Sequence, residues 1–411
     1  MSEKGADPLT GQREERRTDQ RTEQRAVRSI VAAIGTTSVT VGIWVPFMPL
    51  YMLEVGARDA ADAAFWVAVA IAAQGISRLV AAPLWGVVSD RVGRKKMFVR
   101  ALFFSALSTG LAAMMQAPWQ LCVALVVHGL FSGVVPSATA LLSVSVPDSR
   151  IKSALGNLSG VQYIGMACGP AIGGLLAVVV GYRGAFAAAA ALVVVVGFIV
   201  LRSVPQDEFH AQRDASGAKI DLPRFQPSGQ LLLGIFVSFV LFALQQLRNV
   251  AAPLALLRLD SANAATLTGI AFTIGGLASI AGIVMINRWF QKVPVRRLMI
   301  AASVLAGASH LLLALSSTPA AFIAGFALCS VLHATLFPLA NTLIALNVER
   351  ARRGTAFGLA NGVQAMSMVA GPMGAALITA TSFAVGFSVL GALLLGLAAL
   401  LGFALREPKS A

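Results

Sequence analysis

The sequence predicts an all-α integral membrane protein: twelve transmembrane helices in two pseudo-symmetric six-helix bundles, with both termini in the cytoplasm (N-in/C-in). Three observations predict it. Apolar segments of spanning length run along nearly the whole chain, basic residues keep to alternate loops, and the second half repeats the first.

The apolar segments come first. Of 411 residues, 57% are hydrophobic and 12% charged, with a mean hydropathy of +0.78. That is too little charge to cover a soluble domain of this size. A helix needs about 20 apolar residues to cross a hydrocarbon core of about 30 Å. Such stretches recur at 29–53, 64–88, 98–115, 119–146, 153–180, 183–201, 231–257, 264–287, 298–315, 319–348, 354–381 and 382–405. Membrane barrels alternate and use shorter strands, so helices are the spanning structure that fits.

Charge sets the orientation. The net charge is +14, and 27 of the 32 Lys and Arg fall in the N-terminal tail, the even-numbered loops (Arg100, at the start of the third span, counted with its loop) and the C-terminal tail. Only Arg58, Arg183 and Arg258 fall in the odd loops. This is the positive-inside asymmetry, and it predicts a multi-pass protein of the inner (cytoplasmic) membrane, embedded in lipid and with no nucleic-acid partner. Residues 1–28 mix Arg, Glu, Gln and Thr and predict a disordered cytoplasmic tail, without the apolar core of a signal peptide. Residues 202–230, with Pro205, Pro223 and Pro227, form a cytoplasmic linker between bundles 29–201 and 231–405, and 406–411 is a second short tail. The self-contained two-bundle plan predicts a monomer.

The repeat has a constant offset of 202 residues. Ala154, Gly156, Gly160, Val161, Gln162, Met166, Gly169 and Pro170 are matched by Ala356, Gly358, Gly362, Val363, Gln364, Met368, Gly371 and Pro372. Scattered Ala or Val would arise by chance between apolar helices, but a shared Gln and Gly-Pro in one register do not. Parallel six-helix halves imply a site at their interface near the midplane, reached from either side by rocking one half against the other.

Between the second and third spans the chain reads Gly86-Val-Val-Ser-Asp90-Arg91-Val-Gly93-Arg94-Lys95-Lys96. Gly86 permits close helix contact and Gly93 supplies a turn. The basic residues hold the loop at an anionic leaflet, and Asp90 suits a helix cap or an Arg partner, a latch made in one state only. These residues resemble the signature loop of the major facilitator superfamily, a likeness covering essentially everything after residue 28. In the fifth span, Gly165-Met-Ala-Cys-Gly169-Pro170-Ala-Ile-Gly173-Gly174 is similar to the antiporter motif of that family's drug:proton efflux branch. Physically, Gly-Pro removes a backbone donor and the glycines allow close contact with a neighbouring helix. The resemblance implies two bundles around a central cavity, export of a small-molecule substrate, protons as coupling ion, and engagement of Asp90 with the start of the eleventh span near 354–358. In the second half Gln291 replaces the acid, which weakens any latch there.

The sequence also departs from that pattern. The family's fourth span often carries an Arg four residues before a Gly, and here that position, before Gly129, is Leu125. All 18 Asp and Glu lie in tails, loops or span ends, so the buried carboxylate that binds a proton and a cationic drug is missing. Two arginines lie within spans instead, Arg78 and Arg248. A charge at the helix centre costs roughly 2.5–3.5 kcal/mol on insertion scales, so such residues usually face a cavity. Gln74, Ser77 and Arg78 share one helix face, as do Gln245, Arg248 and Asn249. Guanidinium suits carboxylate recognition, so these residues predict a preference for anionic or carboxylate-bearing solutes. The alternatives are a multidrug exporter of apolar or cationic compounds with both arginines structural, Arg248 reaching Glu54, for example; an importer; and a non-transporting sensor. Further polar candidates for the cavity are Thr36, Thr40, Asn157, Tyr163, Asn341, Asn361 and the repeat mates Gln162 and Gln364. Candidates for a titrating group are Glu54, His128 and His333, with His310 also available. No nucleotide-cradling Gly-Lys-Ser/Thr loop and no metal-ligand spacing occurs, Cys122, Cys168 and Cys329 included, so neither an enzyme nor an ATP-driven pump is predicted, and no cofactor or metal.

Overall fold

The computed structural model describes residues 8–146, 148–205, 228–290, 293–348 and 353–406, apart from the side chains of some helical residues. Gly86, Asp90, Arg91 and Asn361 are among those side chains, as are residues 354–358, and Gln291 also lies outside the described residues. Every described element is helical. In chain order these are α1 (Pro8–Trp44), a 3-10 turn (Val45–Phe47), α2 (Met48–Glu54), α3 (Ala60–Val92), α4 (Arg94–Met114), α5 (Trp119–Phe131), α6 (Val134–Ser145) and α7 (Asp148–Ser203). The second half contributes α8 (Gly229–Leu259), α9 (Ala264–Trp289), α10 (Val295–Ala314), α11 (Pro319–Leu346), α12 (Arg353–Thr381) and α13 (Phe383–Ala404). Among the described residues, ten segments are long and apolar enough to cross a membrane, and one of them, Asn157–Ser203, has 47 residues.

Local chemistry explains the interruptions. Helix α1 begins at Pro8, upstream of the apolar span, where composition alone predicts a disordered tail. Residues 12–28 hold no Gly or Pro and are rich in Arg, Gln and Glu, which are good helix formers. Pro46 and Pro49 then tighten the chain into the 3-10 turn and restart it as α2. The expected fourth span is two helices, broken where Gly133 takes φ +100° and ψ +36°, a left-handed conformation that side chains with a Cβ resist. Gly93 (φ +102°) makes the turn between α3 and α4 and holds the N-cap position of α4. Non-helical backbone at Gly181 divides α7 into two arms.

The turns at 55–59, 115–118, 260–263 and 315–318 lie at one end of the molecule, here the odd-loop end; Gly93 and the residues 293–294 that lead into α10 mark the even-loop end. In the first half α7 packs on α1 and α4, and α3 on α5; in the second, α12 packs on α8, α11 on α9, and α10 on α13. The halves meet through α3 against α12 and α7 against α9. One buried apolar core runs through the second half and into the odd-loop end of the first, taking in Phe47, Tyr51, Leu121 and Phe186 with Val250, Leu254 and Ala264. At the even-loop end the first half keeps its own core around Ile30, Phe98, Leu142 and Val200. A third, small core there joins Leu231, Ile235, Ile344 and Ala360. Among the described residues, then, the halves share a core at one end and keep separate cores at the other.

Candidate functional site

Small residues bring the helices close enough to make these contacts. A Cβ added to Gly165 would stand 2.6 Å from the Gly35 carbonyl, and one on Gly169 2.5 Å from that of Val39. The Gly-Pro segment of α7 is thus the face that lies on α1, and its repeat mate Gly371 lies on α8 against the Ala243 carbonyl. Pro170 and Pro372 both sit within continuous helix, α7 and α12. The opposite face of α7 meets the other half. A Cβ on Gly276 of α9 would stand 2.6 Å from Ala167 Cα, and one on Gly269 2.8 Å from the Pro170 carbonyl. Toward the even-loop end the picture reverses: nothing lies within 4 Å of a Cβ on Gly160 or on its mate Gly362. Gln162 and Gln364 are half-buried there, and Asn157, Tyr163 and Asn341 are exposed. Thr40, by contrast, is buried and bonds its own helix at the Thr37 carbonyl.

Two polar centres lie deeper. In the first half, Gln74 Nε2 is 2.6 Å from His128 Nδ1, and His128 Nε2 is 3.5 Å from Ser105 Oγ. An amide donating to Nδ1 leaves the imidazole proton on Nε2, directed at Ser105. Gly129 makes this link possible, since a Cβ there would fall 2.5 Å from the Gln74 carbonyl, so α3 and α5 touch at backbone distance. Arg78, one turn beyond Gln74, is exposed on α3 and close enough to His128 for their charges to interact.

In the second half Arg248 is 4% exposed, so it turns into the bundle while Gln245 and Asn249 on the adjoining faces of α8 stay half-buried. The predicted common face of these three is therefore divided between the bundle interior and its accessible edge. The guanidinium carbon lies 5.1 Å from the centre of the Phe326 ring, and Nε and Nη1 are sealed from solvent without an acceptor. Around it stand His310 and Cys329, 3.5 Å apart, and His333, whose Nε2 donates to the Leu241 carbonyl at 2.7 Å. Taking an ion out of water costs on the order of several kcal/mol, which the Phe326 face offsets only in part.

Glu54 does not meet Arg248. Its Oε1 faces Arg183 Nε at 3.9 Å, a half-exposed pair joining α2 to the second arm of α7 at the odd-loop end.

A clamp that the sequence analysis did not single out surrounds the break between α5 and α6. Trp85 Nε1 donates to the Leu130 carbonyl at 2.6 Å, and Arg100 Nη2 to the Ser132 carbonyl at 3.4 Å. Arg100 also lies flat on Trp85, 3.5 Å from the ring centre. These two side chains take up carbonyls that the break frees, which is how irregular backbone survives at membrane depth. Arg94 of the signature loop bonds the Ala140 carbonyl at 3.1 Å and so ties that loop to α6. The signal for Arg100 was its position, one turn past the Arg94-Lys95-Lys96 run and already inside α4.

A family model described as Major Facilitator Superfamily matches residues 30–249 and 231–411. The chain is 29% identical over 343 residues to Multidrug resistance protein MdtG of Proteus mirabilis, covering 82% of this chain and 84% of that one. It is likewise 29% identical over 367 residues to Multi-drug resistance efflux pump PmrA of Streptococcus pneumoniae, covering 86% and 92%. Among solved structures, nucleoside transporter NupG superposes with a TM-score of 0.71 at 15% identity over 93% of this chain and 99% of that one. The human organic anion transporter MFSD10 (TETRAN) does so at 0.65 and 17% identity over 92% and 99%.

Proposed function

The chain belongs to the major facilitator superfamily, in its drug:proton antiporter-like efflux branch, and we propose that it exports small organic molecules from the cytoplasm by alternating access. It is a membrane transporter, not an enzyme. The observation that carries the proposal is the single shared core. The two halves are joined at the odd-loop end and hold separate cores at the even-loop end.

In this reading the chain crosses the inner membrane twelve times as a monomer, α1–α2 and α5–α6 each making one crossing and α7 two. Bundles 29–201 and 231–405 are joined by the cytoplasmic linker 202–230. The basic even loops face the cytoplasm. The closed end then faces outward, and the open end receives substrate from inside. Gly165, Gly169, Pro170, Gly371 and Pro372 form seams on which each half moves as a body, and Gly86, Asp90, Arg91, Gly93 and Arg94 form the latch that fastens the cytoplasmic end in the other state.

The walls of the open end support a broad substrate range. Tyr163 and Ile164, 50% and 55% exposed, follow half-buried Gln162 on α7, and its repeat mate Gln364 on α12 is half-buried too; such a sparsely polar, apolar surface suits small amphipathic molecules. The names of MdtG and PmrA agree with multidrug export. A preference for carboxylate-bearing solutes is the second reading, favoured by one observation, the accessible guanidinium of Arg78 beside Gln74. Export is coupled to protons moving inward, with His128, bonded to Gln74 next to Arg78, as the coupling group.

Thermal stabilisation by matched compounds that differ only in charge tests the substrate reading, since a ligand of the native state raises its apparent stability. Multidrug recognition predicts stabilisation by amines, amides and carboxylates alike, unchanged in Arg78→Gln. Stabilisation by carboxylates alone, lost in Arg78→Gln, replaces it with anion export.

A further inference from the structure

We infer that the second bundle contains its own anion site, built around Arg248 and separate from the crevice between the halves. The ligand is a small monoanionic group, a halide or a carboxylate.

Arg248 is 4% exposed, and its Nε and Nη1 are buried with no partner. The groups around it bring no compensating charge. His310 Nδ1 donates to the Ala306 carbonyl at 2.7 Å, and the Cys329 thiol donates to Ser309 Oγ at 3.1 Å. His333 Nε2 is taken by the Leu241 carbonyl. Each imidazole therefore carries its proton on the bonded nitrogen and is neutral. His310 Nε2 and His333 Nδ1 are left buried and unpartnered, as is Ser303 Oγ on α10.

Polar groups at this depth are normally satisfied, and a fixed cation is normally paired. Here three side chains whose charges interact, Arg248 on α8, His310 on α10 and His333 on α11, hold unused hydrogen-bonding atoms within one bundle, and its described carboxylate, Asp260, is taken by Asn263 at the odd-loop turn. Glu54, the acid that a sequence reading offers to Arg248, is held by Arg183 at the odd-loop end. A monoanion supplies the missing counter-charge. It accepts from Arg248 Nε and Nη1. Either histidine can add a donor by taking a proton on its free nitrogen, so a carboxylic acid and a carboxylate with its proton are equivalent occupants. Gln245 and Asn249 are half-buried on adjoining faces of α8, which sets the site one layer inside the accessible surface.

This site rests on the packing of one bundle, so it stands or falls apart from the export reading. The test uses the purified full-length protein with sodium methanesulfonate as the reference salt, replaced at constant ionic strength by sodium chloride or by sodium acetate. The melting temperature is followed against anion concentration. A saturable rise is expected in wild type and in Arg78→Gln, and about tenfold or weaker apparent affinity in Arg248→Gln, the loss of charge-assisted hydrogen bonds. A rise with chloride identifies an inorganic ion, and one with acetate alone identifies a carboxylate. Should Arg248→Gln not fold, His310→Gln and His333→Gln must each weaken the same rise. No saturable rise with either salt, or an unchanged rise in the Arg248 or the paired variants, overturns the proposal.

Discussion

Replacing Gly276 by alanine should push the molecule out of the state described here. An ideal Cβ at Gly276 would stand 2.6 Å from Ala167 Cα and 2.7 Å from Ala167 Cβ. Carbon atoms rest at about 3.5–4.0 Å, so the two backbones must part by about 1 Å. Overpacking of this kind costs about 1–3 kcal/mol. Alanine's helix-propensity gain applies to both conformations and cancels. The strain exists only while α7 and α9 are pressed together across the halves, so the conformation opened at the odd-loop end gains about 5- to 150-fold. The assay is the distance between spin labels at Arg58→Cys and Ala262→Cys, both exposed on odd-loop turns of different halves, with the three native cysteines replaced by serine. The distribution should move to longer distances in Gly276→Ala. An unchanged distribution accompanied by a lower melting temperature would refute the reasoning, because the strain would then be absorbed without moving the halves.

Gly160→Ala and Gly362→Ala should act only in the other state: each Cβ meets open space here, so the same labels should report an unchanged or shorter distance, while transport slows as the even-loop end fails to close. Gly133→Ala forces alanine into a left-handed conformation and should lower stability by about 1–2 kcal/mol, read by denaturation in detergent, whereas Gly160→Ala should not. Hydrogen bonds from the Asn263 side chain and backbone hold the Asp260 carboxyl below the usual carboxylate range. A depressed folded-state value stabilises above the unfolded value and is lost as pH falls through the folded one. The melting difference between wild type and Asp260→Ala should therefore be full at pH 6, begin to shrink only near about pH 4, and vanish once the pH lies below the depressed folded-state value.

The membrane class and the internal repeat were legible because both are written in composition and register. Gly165, Gly169 and Pro170 were legible as close-contact residues for the same reason, since a small residue has few other uses on an apolar helix. The surface that α9 offers to the other half was not, because Gly269 and Gly276 belong to no repeat pair. Their seven-residue spacing of small residues is the signal that would have found them. Arg248 was visible as an intramembrane charge, but its rotation into the bundle depends on how α8 sits against α11, which helical periodicity does not give. The span break at Gly133 was hidden because Ser132-Gly133 lies in an otherwise unbroken apolar run, and its clamps, Trp85 and Arg100, come from two other helices.

The central claim is proton-driven export, and flux in proteoliposomes measures it most directly. Protein oriented with its even-loop end outside, given a fluorescent amphipathic dye and an interior made acidic, should accumulate the dye against its gradient and release it when a protonophore collapses the pH difference. Dye that only equilibrates, indifferent to the pH difference, or that moves no faster than in protein-free vesicles, would contradict the account.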